Sequence, residues 1–138
     1  SSFVAELFLG RFRYDLMHPY PEQNPQDKSE GDRYLAILEK TLRDKVDPVK
    51  IDLDNKFDPE ALAALKDIGA FGMKIGKEYG GVGLSQTNYS RALEMIGSHC
   101  SNTSAWVSAH QSIGVPQPLK FSGTPEQKKK YLPRAVSI

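Results

Sequence analysis

The sequence predicts an all-α fold, a small bundle of about six helices. Three observations predict it. Apolar residues recur at spacings of three and four in several separate stretches, and no stretch alternates convincingly as a half-buried strand would. Two of those stretches open on Asp58-Pro59 and Thr124-Pro125. In such pairs the side-chain oxygen accepts from orphan N–H groups and Pro suits the first helical position. The chain's 138 residues, 39% of them hydrophobic, suffice for one domain with its own core.

The first expected helix is short, from Ser2 to Leu9. Phe3, Val4, Leu7 and Phe8 share one face, and Gly10 ends it. Pro19, Pro21 and Pro25 lie in a polar stretch from His18 to Glu30, which reads as an exposed linker. Residues 1–30 are therefore an N-terminal extension and linker, and residues 31–138 the helical domain. A second helix runs from Gly31 to Lys45 with Tyr34, Leu35, Leu38 and Leu42 as its stripe. Asp47-Pro48 stops it, and a polar connection leads to Phe57.

Asp58-Pro59 starts the third helix, with Ala61, Leu62, Leu65 and Ile68 inward and Gly69 as its C-cap. Glycines 72, 76, 80, 81 and 83 make the next stretch turn-rich, with a short extended piece near Phe71–Ile75. Ser85 caps a longer helix to about Cys100, striped by Tyr89, Leu93, Ile96 and Cys100. Asn102 or Thr103 caps the next, in which Ala105 to Ile113 is mostly apolar or small. Pro116 and Pro118 interrupt the chain beyond it. Thr124-Pro125-Glu126-Gln127 has capping-box spacing and begins a last helix, which Pro133 ends.

Bulk properties exclude several classes of function. The net charge is +1, which gives no electrostatic case for a nucleic-acid or membrane surface. No apolar run approaches the roughly 20 residues of a membrane helix. The first ten residues lack a secretory signal's basic start and small-residue cleavage site. One cysteine, Cys100, forms no internal disulfide. No repeat of fixed period is present.

Candidate chemistry is sparse. Glu78 to Gly83 is not a dinucleotide or phosphate-loop pattern, and its glycines read as a tight turn. His18, His99 and His110 have no metal-ligand spacing; His99 and Cys100 diverge by roughly 100° on a helix. Lys128-Lys129-Lys130 reads as a solvated face, since no aromatics interleave it. No two carboxylates are placed as an acid–base pair. The most suggestive segment is Ala105-Trp106-Val107-Ser108-Ala109-His110-Gln111. Small residues at 105, 108 and 109 leave one helix face without bulk. Such a face admits a neighbouring helix or lines a channel for a slim apolar ligand, and core packing is the ordinary reading.

At these residues the sequence resembles a known family. ALAALKDIGAFG (61–72), KEYGGVGLSQTNYSRALEMIG (77–97) and SAHQSIGVPQPLKFSGTPEQKKKYLPR (108–134) look like the N-terminal domain of acyl-CoA dehydrogenases. The combination GT-x-EQK-x-KYLP at 123–133 is specific. SSFVAELFLGRFRYDLMHPYPE (1–22) with AHQSIG (109–114) is similar to the very-long-chain branch and its complex-I-assembly relative.

The resemblance implies a part of an FAD-dependent enzyme of fatty acid β-oxidation. That enzyme converts acyl-CoA to trans-2-enoyl-CoA, with a glutamate as base and the flavin as hydride acceptor. The helical domain is then expected to pack against a middle β domain and a C-terminal helical domain, neither of which this sequence contains. Ala105, Ala109 and Ile113, with Trp106 and Ser108 beside them, are implied as wall residues of the acyl channel. Long-chain acyl-CoA, the remaining domains, a homo-oligomeric partner and electron-transferring flavoprotein are the implied partners. The implied location is the mitochondrial matrix or inner membrane in a eukaryote and the cytoplasm in a bacterium. The sequence departs from the family after Pro133, where Arg134 to Ile138 replaces the expected turn, strand and Thr-Glu-Pro segment. The catalytic glutamate and nearly all flavin contacts are expected beyond it, so this chain alone is expected to be inactive and not to hold FAD. The alternative is a non-catalytic helical interaction or assembly module built from the same domain.

Overall fold

The fold was described from a computed structural model covering residues 2–137; Ser1 and Ile138, the outer ends of the two expected segments, lie outside the described residues. Among these, eight α-helices and no strand are present. They are α1 (Phe3–Phe8), α2 (Pro25–Lys45), α3 (Pro48–Asp54), α4 (Pro59–Asp67), α5 (Gln86–His99), α6 (Ser101–Ser108), α7 (Pro116–Ser122) and α8 (Pro125–Val136). The all-α architecture is as expected, with α3 and α7 in addition to the expected helices.

The core forms where the stripes of α2, α4 and α5 meet. Leu38, Leu42, Ala61, Leu65, Ala92 and Ile96 are almost completely buried, joined by Phe71, Met73, Tyr89 and Val107. Each fully buried Leu or Ile contributes about 1.5–3 kcal/mol relative to exposure. Ser85, Asp58 and Thr124 cap α5, α4 and α8. Their oxygens accept from Asn88 N at 3.2 Å, Glu60 N at 2.9 Å and Gln127 N at 3.3 Å. Thr124 N in turn donates to Gln127 Oε1 at 2.8 Å, completing the capping box.

Several boundaries differ from expectation. Helix α2 starts at Pro25, not Gly31, because Asn24 accepts from Gln26 N at 2.8 Å and Pro25 occupies the first turn. Asp47-Pro48 both follows α2 and initiates α3, with Asp47 accepting from Val49 N and Lys50 N at 3.0 Å. Pro116 and Pro118 stand in the first turn of α7, where the N–H groups have no intrahelical partner to lose. Pro133 does not end α8. The last turn continues to Val136, held by Val136 against Gly72 and by His110 Nε2 donating to Ala135 O at 2.9 Å. Cys100, in an extended conformation, caps α6 without a side-chain bond, so neither Asn102 nor Thr103 serves there.

The expected extended piece near Phe71–Ile75 is instead a 3₁₀ turn, Ala70–Gly72, leading into a folded-back loop. Val82 N, Gly83 N and Leu84 N donate to Gly72 O, Ile75 O and Met73 O at 3.0, 2.9 and 2.7 Å. In α1 the shared apolar face does not meet the core: Val4, Leu7 and Phe8 are exposed, and Glu6 is the buried residue.

Candidate functional site

Helix α6 runs on without a break into a π-helical turn, Ala109–Ile113, in which Gly114 N donates to Ala109 O at 2.8 Å. Its two faces differ. Thr103, Val107 and Gln111 are buried against the core. Ala105 and Ala109 are exposed, Ser108 is half-buried, and Ile113 is 83% exposed. Trp106 stands at the edge of the open face, its ring 4.6 Å from that of Phe57 and 5.4 Å from that of Phe71. All five residues singled out in the sequence therefore sit on one helical segment. Ala105, Ala109 and Ile113 lie on its open side, with Trp106 fixed beside them.

The segment is held from behind by polar groups that sequence reasoning missed. Gln111 is buried, accepts from Lys74 N at 3.0 Å and donates to Ala70 O at 2.8 Å. Ser112 Oγ and Tyr89 OH are 2.8 Å apart, tying the turn to α5. His110 turns away to Ala135 and meets Phe71 edge-on at 5.8 Å. The one available signal was a glutamine at an otherwise inward-facing position. The open face itself carries no ionisable side chain, so it can exclude water from an alkyl chain but cannot move a proton.

Next to it lies a groove of about 560 Å³, lined by His110, Val115, Pro116, Leu119, Tyr131 and Arg134 among others. The glycine loop does not fit a phosphate. A Cβ at Gly81 would stand 2.1 Å from Ile75 O, so the glycine serves a close approach of the chain to itself. Among the described residues no group of His, Cys, Asp and Glu is placed to hold a metal ion.

Residues 31–138 match the family described as Acyl-CoA dehydrogenase, N-terminal domain, and the chain belongs to it. It is 43% identical over 136 residues to the probable acyl-CoA dehydrogenase FadE10 of Mycobacterium tuberculosis, covering 99% of this chain and 21% of that protein. It is 36% identical over 138 residues to the mitochondrial very long-chain specific acyl-CoA dehydrogenase of Homo sapiens, again 99% of this chain and 21% of the relative. In solved structures it is similar to the prolyl acyl carrier protein oxidase AnaB, with a TM-score of 0.64 and 25% identity over 84% of this chain and 30% of that one. The chain thus spans about a fifth of the length of the curated relatives it matches.

Proposed function

We propose that this chain is the N-terminal helical domain of an FAD-dependent acyl-CoA dehydrogenase of the very-long-chain type, and that α6 lends it one wall of the acyl channel. The observation carrying this is the open, side-chain-poor face of Ala105 and Ala109 on a segment that Gln111, Ser112 and His110 hold rigid from behind. A wall for an alkyl chain needs those two properties together: room for the ligand, and backing that does not yield. The likeness to very long-chain relatives supports the choice of substrate class.

The glycine loop is closed on itself and gives a phosphate no cradle. In this reading the flavin, which supplies hydride acceptance when bound, is held by later domains. The contribution of this chain is to exclude water from the tail and to fix its depth. Long-chain acyl-CoA, the remaining domains, a second subunit and an electron-transferring flavoprotein are its partners.

The test is Ala109→Leu in the full-length enzyme. The added methylenes occupy channel length, and each buried methylene of substrate is worth ~0.8 kcal/mol, so kcat/KM for the longest acyl chains should fall roughly tenfold or more. Short acyl chains should be turned over as before. An unchanged chain-length profile refutes the wall assignment, and a full-length protein that binds no flavin supports a non-catalytic assembly module instead.

A further inference from the structure

Burial along α6 and its π turn repeats every four residues. Thr103, Val107 and Gln111 are buried, while Ala105, Ala109 and Ile113 are exposed. An α-helix does not keep that period, because each four-residue step drifts by about 40° around the axis. The π turn offsets the drift. It closes one more residue into the hydrogen-bonded loop, so that Gly114 N donates to Ala109 O, five residues back. Ile113 thereby stays in the column of Ala105 and Ala109, and Ser112 turns towards α5. Such single π turns are rare and recur at functional sites.

A pair of hydroxyls fixes this register. Ser112 Oγ and Tyr89 OH are 2.8 Å apart. The lag that the extra residue introduces accumulates along the turn, so a hold near its end fixes it best, and Ser112 immediately precedes Ile113. The other end of the bond is immobile. Tyr89 is only 2% exposed, and Lys74 Nζ lies 4.9 Å over the centre of its ring. A ring packed in this way has no room to follow Ser112 if the turn moves, so its hydroxyl is a fixed point. The remaining holds act earlier in the turn: Gln111 reaches Ala70 and Lys74, and His110 reaches Ala135.

We propose that Tyr89 is a positioning residue for acyl-length selection: through Ser112 it keeps the π turn in register, and so keeps Ile113 in line with Ala105 and Ala109. This rests on the reading of that face as a wall of the acyl channel. Tyr89 stands on α5, behind the wall, and acts on the channel only through Ser112. A wall whose end shifts accepts alkyl chains of several lengths with similar ease, so the pair serves discrimination between substrates rather than rate.

The experiment measures kcat/KM for saturated acyl-CoAs of increasing length with the full-length enzyme. The variants are Tyr89→Phe, Ser112→Ala, the two together, and Ala109→Leu. Leu42→Val, a core change on α2, controls for general loss of stability. The readout is the ratio of kcat/KM between the preferred length and its neighbours, which does not depend on the fraction of enzyme that is folded. Tyr89→Phe should lower that ratio by a factor of about 2–10, as expected for one lost hydrogen bond. Ser112→Ala should do the same. The double variant should do no more than either single one, because all three remove the same bond. Leu42→Val should leave the ratio alone. Hydrogen exchange in the peptide spanning residues 109–114 should be faster in Tyr89→Phe than in the parent enzyme. An unchanged ratio in Tyr89→Phe, an equal loss at every length, additive effects in the double variant, a changed ratio in Leu42→Val or unaltered exchange overturns the proposal. If Ala109→Leu shifts the length profile and Tyr89→Phe does not, only the role of Tyr89 fails. If neither shifts it, the wall reading fails as well.

Discussion

Gln111 Nε2 donates to Ala70 O at 2.8 Å while Gln111 Oε1 accepts from Lys74 N at 3.0 Å. One side chain therefore satisfies two backbone groups of the loop after α4, and ties that loop to the π turn behind the open face. Buried backbone groups left without a partner cost about 1–3 kcal/mol each. Gln111→Leu keeps a similar volume but removes both bonds, so it should destabilise the chain by about 2–4 kcal/mol. Urea unfolding should show a lower midpoint with an unchanged slope.

Two buried hydroxyls point the other way. Tyr34 OH and Thr103 Oγ1 are enclosed without a hydrogen-bond partner, and burial pushes the Tyr34 phenol well above its usual pKa. Both side chains pack well, but their oxygens lost water on folding and gained nothing. Tyr34→Phe and Thr103→Val should each stabilise by about 1 kcal/mol, raising Tm by a few degrees. A lower Tm in both would mean that these oxygens find partners in solution.

The parts of the fold legible in the sequence are those where one local signal has one meaning. Ser85, Asp58 and the Thr124–Gln127 box could be placed because each precedes a periodic stripe. Prolines misled, because the same residue stops one helix and starts the next. Asp47-Pro48 does both, and Asn24-Pro25 was hidden among neighbouring prolines. Pro133 is tolerated only because Val136 and Ala135 are anchored elsewhere, a tertiary fact. Of the candidate site, the small residues of α6 could be seen in advance; the Phe57 and Phe71 rings that fix Trp106 come from distant positions and could not.

Acid should loosen the joint between α2 and α5. Asp27 accepts from Gln23 Nε2 at 2.6 Å and from Ser85 Oγ at 2.9 Å. These bonds, with Arg91 and Asn88 nearby, hold its carboxyl below the usual 3.8. Asp32 is lowered likewise by Lys28 and Arg91. A carboxylate with a depressed folded pKa contributes stability above its unfolded value and loses it as pH falls through the folded one. Stability should thus be insensitive to these groups above about pH 5 and decline below the usual carboxylate value. Asp27→Asn should be less stable at neutral pH and show a shallower acid limb in melts across pH. An unchanged acid limb would exclude Asp27 as its source.

The same joint makes Gly31 irreplaceable. A Cβ there would lie 2.0 Å from Asn88 Oδ1. The end of an Asn side chain ordinarily swings aside, but Asn88 is buried and pinned. Its Nδ2 donates to Asp27 O at 2.7 Å, and its Oδ1 accepts from Gln23 at 2.9 Å and Arg91 at 3.0 Å. Gly31→Ala gains about 1 kcal/mol of helix propensity, yet overpacking of this kind costs about 1–3 kcal/mol, and loss of the Asn88 bonds adds to it. The single variant should be destabilised by about 2 kcal/mol. In Asn88→Ala the obstruction is gone and a second alanine at 31 should be neutral or favourable. The two changes together should then be more stable than the sum of the single losses by about 1–3 kcal/mol, measured as a double-mutant cycle. Strict additivity would show that Asn88 yields freely, and that the close approach of α2 to α5 is set by something other than this pair.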